Sequence, residues 1–249
     1  MPLFFISSTH MKILFLGTRG NIKTSNLLHK RHTTTLISYK KTRVAIDCGL
    51  DWLNAINIIN PDAFLITHAH PDHIGGLKHG SPFPVYATTE NWEHMSTFPI
   101  DQKHIVIPRK QFTIDSLLIE AFVVEHALNT LAVGYRITGG NTTLFCVHDL
   151  LSIKNRTKAL ENVSLYIGDG ATFIRPIMRY RNNMPMGHTT IKEQLTWCKK
   201  AGIPRAIFTH CGSHIVKDTT NTVEKNIIHY GLEQGIETNI AYDGMKITI

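Results

Sequence analysis

The chain has 249 residues, of which 43% are apolar and 18% are charged, so it can bury a sizeable core within a single domain. No apolar stretch approaches the roughly 18 residues needed to cross a bilayer, and the opening run 3–6 is too short for the core of a signal peptide. These features exclude a membrane partner, and a soluble, cytoplasmic protein is expected. The net charge of +7 favours anionic ligands without identifying one.

Residues 1–10 precede the first strong strand pattern and are expected to form an N-terminal extension, followed by one domain over residues 11–249. Short apolar runs separated by turn residues predict strands. In chain order, the predicted strands cover residues 13–16, 34–38, 43–46, 63–66, 85–87, 105–107, 117–124, 132–137, 143–147, 164–167, 206–208 and 239–242. The predicted helices cover residues 52–60, 74–79, 90–95, 191–201 and 223–234.

Strand-rich halves with helices between them favour an α+β fold, in which two packed sheets are covered by helices on their outer faces. Periodicity alone does not decide this arrangement. The four cysteines have no C-x-x-C spacing, so free thiols are expected rather than a disulfide framework or a zinc knuckle. Basic clusters at residues 29–32, 40–43 and 175–181 are candidate contacts for phosphate or nucleic acid, although solvated turns produce such clusters routinely.

Metal-binding side chains are concentrated in the sequence His-Ala-His-Pro-Asp-His at positions 68–73. Residues two apart in an extended chain point to the same side, so His68 and His70 can direct their imidazoles toward one ion. Asp72 and His73 can offer a carboxylate and an imidazole to a second ion beside the first. A single histidine is more often a surface or core residue than a ligand, but four such side chains within six residues predict a metal site.

This segment resembles the signature of the metallo-beta-lactamase superfamily, and further motifs of that family follow in order. Asp47 matches the aspartate that supports the metal-binding loop from behind. His126, Asp149 and His210 each follow an apolar run and match the third, fourth and fifth motifs. The resemblance spans residues 12–210 and implies an αββα sandwich of two mixed β-sheets flanked by helices.

The resemblance also implies two divalent metal ions. One ion would take His68, His70 and His126, and the other Asp72, His73 and His210, with Asp149 bridging. Imidazole and carboxylate ligands suit Zn2+ first, with Mn2+, Fe2+ and Ni2+ as alternatives, because ligand type does not separate these ions. Flavin-linked diiron members of the fold usually carry glutamate at the position of His70, which argues against oxygen or nitric oxide reduction.

Other segments resemble the ribonuclease Z and cyclic phosphodiesterase branch of this family. Gly134-Tyr135-Arg136 looks like its Gly-Tyr-Arg strand, and Gly187-His188-Thr189-Thr190 is similar to its His-Ser-Thr motif. The histidine of that motif is thought to protonate the departing alkoxide, a task that suits an imidazole with a near-neutral pKa. A simpler alternative is that His188 only precedes and caps a helix.

The segment Gly168-Asp169-Gly170-Ala171-Thr172 resembles the His-Glu-Ala-Thr segment of the same branch. Aligning Ala-Thr places Gly170 where the glutamate belongs, so Asp169 orients His188 only if the loop shifts by one residue. The short connection from His126 to Asp149 leaves no room for the long arm that transfer-RNA-processing ribonuclease Z usually carries. A smaller phosphodiester or an unstructured nucleic-acid end is therefore favoured over transfer RNA.

These observations predict a dinuclear metal-dependent hydrolase, most simply a phosphodiesterase acting on a small or nucleic-acid-derived anionic substrate. In the expected mechanism a metal-bridging hydroxide attacks phosphorus, Asp72 helps to orient it, and His188 protonates the leaving oxygen. One alternative is a lactonase or thioesterase-type carbonyl hydrolase of the same fold. Another is a non-catalytic nucleic-acid-binding protein with a degenerate metal site. The sequence leaves a homodimer open.

Overall fold

The computed structural model describes residues 10–127 and 130–249. Residues 1–9 of the expected N-terminal extension lie outside the described residues. None of the helices in the described part of the chain is long and apolar enough to cross a membrane.

The first half of the chain contributes strands β1 (Lys12–Gly17), β2 (Thr34–Tyr39), β3 (Thr42–Ile46), β4 (Ala63–Leu65), β5 (Val85–Ala87), β6 (Lys103–Ile105), β7 (Phe112–Ile114) and β8 (Leu117–Glu125). The second half contributes β9 (Ala132–Gly139), β10 (Thr142–Cys146), β11 (Ser152–Ile153), β12 (Leu165–Asp169), β13 (Ile177–Arg181), β14 (Met184–His188), β15 (Arg205–Thr209), β16 (Glu237–Ile240) and β17 (Lys246–Thr248). The helices are α1 (Ile56–Ile59), α2 (Pro71–Ile74), α3 (Thr89–His94), α4 (Arg156–Leu160), α5 (Ile191–Ala201), α6 (Ser213–Val216) and α7 (Thr222–Glu233). Two 3-10 turns cover Leu50–Trp52 and Gly75–Leu77.

Most strands belong to two large mixed sheets. The first sheet has the order β17-β1-β2-β3-β4-β5-β6, and the second has the order β11-β8-β9-β10-β12-β15-β16, with β7 paired to β8. Strands β3 to β6 are parallel, as are β10, β12, β15 and β16. Strands β13 and β14 pair only with each other and form a separate hairpin.

Alternating side chains on the strands build three apolar layers. On β10, Leu144 and Cys146 face the first sheet and pack in the central layer with residues such as Ile37, whereas Phe145 points outward. Phe145 packs with Leu195 of α5 in the layer beneath the helices of the second sheet. The third layer covers the outer face of the first sheet and contains Trp52, Ile56, Leu77 and Met95. Because both faces of the strands are apolar, the sheets must be covered on both sides, and the predicted sandwich of two sheets flanked by helices is confirmed.

Two predicted helices are shorter than expected. The range 52–60 contains the end of a 3-10 turn and the single turn α1, because Asn54 and Asn60 adopt left-handed backbone conformations that interrupt a helix. The helix predicted at 74–79 begins instead at Pro71, which suits the first helical turn. The hairpin β13–β14 was not among the predicted strands.

Candidate metal centre

The predicted site residues lie at the carboxyl ends of strands in both sheets. Asp47 follows β3 and His68 lies shortly after β4, and these two strands are parallel. His126 directly follows β8, Asp149 lies just after β10, and His210 directly follows β15. Within the second sheet β8, β10 and β15 run in one direction, so their carboxyl ends meet at one edge. Residues distant in sequence therefore converge between the two sheets at that edge.

One group of candidate ligand atoms contains His68, His70, His126 and Asp149, and these atoms all lie within 4.8 Å of one another. His68 Nε2 is 2.9 Å from His70 Nδ1. Asp149 Oδ2 is 3.5 Å from His68 Nε2 and 3.3 Å from His126 Nε2. The structure thus brings together the three histidines and the aspartate that were predicted for one ion.

The second group contains Asp72, His73, His210 and again Asp149, also within 4.8 Å. His73 Nε2 lies 3.3 Å from Asp72 Oδ2 and 3.2 Å from Asp149 Oδ2. The two nitrogens of His210 face different carboxylates, with Nε2 3.1 Å from Asp72 Oδ2 and Nδ1 2.7 Å from Asp149 Oδ1. Asp149 is common to both groups, which is the position that the sequence analysis assigned to a bridging ligand.

Buried polar atoms without hydrogen-bond partners test whether these groups fit metal ions. Within the described residues, five buried atoms of the two groups form no well-aligned hydrogen bond, although His210 Nδ1 and Asp149 Oδ1 lie 2.7 Å apart: Asp72 Oδ1, His73 Nε2, His126 Nε2, Asp149 Oδ1 and His210 Nδ1. Leaving a buried polar group unpaired costs about 1–3 kcal/mol. A divalent cation would satisfy several of these atoms together, and imidazole and carboxylate donors are suitable ligands for it. The residues therefore fit a metal centre.

Charge and burial act on the histidines in opposite ways. Burial and neighbouring histidines hold the pKa of His68 well below its usual range and lower the pKa of His70 to about 4, so both imidazoles are neutral and can donate a lone pair. Burial would also lower the pKa of His73 and His210, but the surrounding carboxylates, including Asp149, outweigh burial and raise it. The second group thus already attracts positive charge, which a metal ion would supply.

Asp47 lies behind the ligand groups and is fully buried. Its Oδ2 accepts hydrogen bonds from His73 Nδ1 at 2.7 Å, from Thr67 Oγ1 at 2.8 Å and from His148 Nδ1 at 2.6 Å. Thr67 Oγ1 in turn accepts from His68 Nδ1 at 3.1 Å. With these Nδ1 protons held from behind, the Nε2 atoms of His68 and His73 are left free for a ligand role. Asp47 thus lies where the sequence analysis placed a supporting carboxylate.

His148 and Thr67 are the members of this network that the sequence analysis missed. His148 and Asp149 lie in the bend that follows β10, where His148 faces Asp47 while Asp149 faces the ligand groups. His148 also places Nε2 3.1 Å from Thr35 Oγ1. A histidine directly before the metal-binding aspartate was the signal that could have identified His148.

Asp47→Asn is expected to weaken metal affinity about 10- to 100-fold, because the amide cannot accept all three hydrogen bonds and would oppose an imidazole N–H with its own N–H. Competition with a fluorescent chelator measures this affinity. Asp62→Asn, at an exposed carboxylate, is the matched control. An Asp47 variant with the affinity of the parent protein would show that Asp47 does not support the ligands.

His188 lies at the end of β14 and forms a hydrogen bond from Nδ1 to Asp169 Oδ2 at 2.7 Å. Asp169 is fully buried at the end of β12 and also accepts from the backbone amides of Ala171 at 2.8 Å and Leu150 at 3.2 Å. Burial alone would lower the pKa of His188, but Asp169 outweighs burial and raises it. The sequence analysis allowed Asp169 to pair with His188 only if the loop shifted by one residue, and the structure contains this pair.

Gly187 attaches the β13–β14 hairpin to the ligand groups. Its amide donates to His126 O at 2.8 Å, and its carbonyl accepts from His126 Nδ1 at 2.9 Å. Gly187 has φ +128°, and a Cβ atom there would collide with the carbonyl oxygen of Ile177. Only glycine therefore permits this close approach without strain.

Gly187→Ala is expected to cost about 1–3 kcal/mol of strain and to lower Tm by several degrees. Gly202→Ala is the matched control, because Gly202 also has a positive φ of +68° but nothing lies within 4 Å of the position that its Cβ would take. Thermal unfolding followed by circular dichroism compares the two variants. Equal losses of Tm would mean that the collision with Ile177 does not matter.

A cavity of about 550 Å³, hereafter the site cavity, opens over the two ligand groups. His188 lines it together with ligand candidates from both groups, among them His70, Asp72 and His126. Its other walls come from the hairpin, from residues 20–22 and from residues 212–214. The cavity is large enough for a small substrate and places the substrate beside both the ligand groups and His188.

The αββα sandwich with its ligand residues at one edge of the sheets defines a metallo-beta-lactamase fold. Residues 42–211 match the sequence profile described as the beta-lactamase superfamily domain. The match covers more than half of the chain, and the chain belongs to this superfamily.

Two curated proteins are similar in sequence. Ribonuclease Z from Methanopyrus kandleri is 29% identical over 140 residues, which cover 49% of this chain and 48% of the relative. Exodeoxyribonuclease YycJ from Bacillus anthracis is 25% identical over 166 residues, covering 61% of this chain and 58% of the relative. The chain thus matches about half of the length of these curated relatives.

Solved structures support the same fold. The metallo-beta-lactamase fold protein YhfI from Bacillus subtilis aligns with a TM-score of 0.75 at 20% identity, covering 96% of this chain and 99% of YhfI. A diphosphatase of the PhnP family aligns with a TM-score of 0.71 at 19% identity, covering 96% of this chain and 97% of the diphosphatase. At such low identity these likenesses support the fold alone.

Proposed function

We propose that this protein is a phosphodiesterase that depends on two divalent metal ions, with Zn2+ as the first candidate. The observation that carries the proposal is the shared position of Asp149 in two ligand groups, with His188, which is paired with Asp169, lining the cavity over them. The names of the two curated relatives, both nucleases, favour a phosphodiester substrate over a carbonyl ester.

In this proposal His68, His70 and His126 would hold one ion. Asp72, His73 and His210 would hold the other, and Asp149 belongs to both ligand groups. Bound there, divalent ions supply Lewis acidity and positive charge at the reacting phosphate. The protein itself contributes rigid placement, because Asp47 and Gly187 O hold the far nitrogens of His73 and His126.

His188 is proposed as the proton donor to the leaving oxygen. Its Nδ1 is occupied by Asp169, so Nε2 is the nitrogen left to serve a group in the site cavity. Asp169 raises the pKa of His188, which favours the protonated imidazole that a general acid requires. Asp169 is a positioning residue in this scheme, since it holds His188 and lies 3.8 Å from His210 but does not line the cavity.

A substrate panel tests the proposed reaction. Metal-loaded protein is assayed with bis(p-nitrophenyl) phosphate, a cyclic nucleotide, a lactone and a thioester, each with and without a chelator. The proposal predicts the highest kcat/KM for a phosphodiester and loss of this activity with the chelator. A lactone or thioester hydrolysed about tenfold faster than every phosphodiester would instead support the carbonyl hydrolase alternative.

A further inference from the structure

The β13–β14 hairpin carries Arg179, a member of the basic cluster at residues 175–181, to the rim of the site cavity. Its strands pair only with each other, and Gly187 attaches the hairpin to His126 through two backbone-linked hydrogen bonds. The hairpin thus has a fixed base beside the ligand groups, while Arg179 on β13 is exposed.

The register of the hairpin decides which side chains face the cavity. Ile177 pairs with His188, and Arg179 pairs with Met186. Directly opposed residues of an antiparallel pair, and residues two apart on one strand, share a face. Arg179 and Met186 therefore lie on the face of His188, and all four residues line the site cavity. Met178 and Pro185, on the opposite face, line a different depression.

Arg179 lies two residues further along β13 than Ile177, the residue that opposes His188. Two residues of a strand span about 6.6 Å, so the backbone of Arg179 is offset from that of Ile177 by about this distance. Within the described residues, no carboxylate forms an ion pair with Arg179. A guanidinium with free donors suits a phosphate, which it can bind through two parallel hydrogen bonds.

From this placement we infer that Arg179 forms a subsite for a second phosphate, located about one sugar away from the phosphodiester that is cleaved. This inference rests on the proposed phosphodiesterase function. Ile177 and Met186 flank Arg179 and offer apolar contacts to the sugar between the two phosphates. The second phosphate can be the terminal phosphate of a mononucleotide or the next phosphodiester of a single strand.

Calorimetric binding to the metal-loaded protein tests the subsite without relying on catalysis. The measured quantity is the preference ratio, the Kd of thymidine 5′-phosphate divided by the Kd of thymidine 3′,5′-bisphosphate. The parent protein should prefer the bisphosphate, and Arg179→Ala should lower the ratio about tenfold, the effect of losing one charge-assisted contact. Arg179→Lys should lower it less, because lysine keeps the charge without the paired donors.

Arg175→Ala is the matched control, because it removes the same charge from an exposed position that does not line the site cavity. Its preference ratio should equal that of the parent protein. Three results would each overturn the subsite. The preference ratio could fall equally in the Arg175 and Arg179 variants, it could stay unchanged in Arg179→Ala, or the parent protein could show no preference for the bisphosphate. The 5′-phosphorylated dinucleotide pTpT distinguishes the two sources of the second phosphate. If pTpT binds as tightly as the bisphosphate, the subsite accepts the next phosphodiester of a strand. If pTpT binds more weakly, the subsite is specific for a terminal phosphate.

Hydrolysis separates this inference from the proposed function. The p-nitrophenyl esters of thymidine 5′-phosphate, with and without a 3′-phosphate, are assayed on the same samples. No hydrolysis of either ester, together with a ratio that falls in Arg179→Ala, would overturn the phosphodiesterase proposal and leave an anion subsite. Hydrolysis together with an unchanged ratio would overturn the subsite alone.

Discussion

Asp149→Ala is expected to reduce phosphodiester hydrolysis by about 10³-fold or more and to lower metal content below one ion per chain. Asp149 approaches His68, His73, His126 and His210, and it is the residue common to both ligand groups. Its loss would therefore weaken the binding of both proposed ions at once, and each ion would supply several kcal/mol of stabilisation to the charge that develops in the reaction. Metal analysis after gel filtration and steady-state kinetics measure the two effects.

Asp101→Ala is the matched control for Asp149→Ala, because Asp101 is exposed and does not line the site cavity. This control should retain the metal content and activity of the parent protein. An Asp149 variant that still binds two ions and keeps more than about a tenth of the activity would contradict the shared role of Asp149.

His188→Ala is expected to slow hydrolysis of a dinucleoside phosphate by about 10²- to 10⁴-fold while metal content stays unchanged. The alkoxide that leaves from this substrate is a strong base and needs a proton, which His188 is placed to give. The loss should be much smaller with bis(p-nitrophenyl) phosphate, since p-nitrophenolate can leave without protonation. Rates on the two substrates, compared at equal metal loading, measure this difference.

Two further variants define the role of His188. Asp169→Asn should reproduce part of the substrate-dependent loss, because the amide cannot stabilise the protonated imidazole as the carboxylate does. His229→Ala, at a side chain that is 74% exposed on α7, should leave both rates unchanged. Equal losses on both substrates in His188→Ala would remove proton donation from the mechanism.

The fold and the ligand candidates could be predicted from the sequence because their signals are local and ordered along the chain. Each candidate follows an apolar strand, and the parallel arrangement of those strands brings their ends together. His68 and His70 lie close together as the two-residue spacing indicated. The order of strands and helices favoured two packed sheets, and the family resemblance implied their αββα arrangement.

Contacts across the sandwich could not be predicted in this way. His148 forms a hydrogen bond with Asp47 because β10 and β3, which belong to different sheets, end at the same edge. No local sequence pattern predicts this contact. The Asp169–His188 pair depends on where β12 and β14 end, and an alignment of Ala-Thr alone misplaced the carboxylate by one residue. The register of the hairpin, which carries Arg179 to the cavity, likewise appears only in the folded chain.

The stoichiometry of metal binding is the most direct test of this account. Metal-free protein is titrated with Zn2+ in a calorimeter, and the bound metal is then counted after gel filtration. The two ligand groups that share Asp149 predict two ions per chain. A limit of one ion per chain or fewer, in protein that remains folded by circular dichroism, would contradict the dinuclear centre on which the proposed function depends.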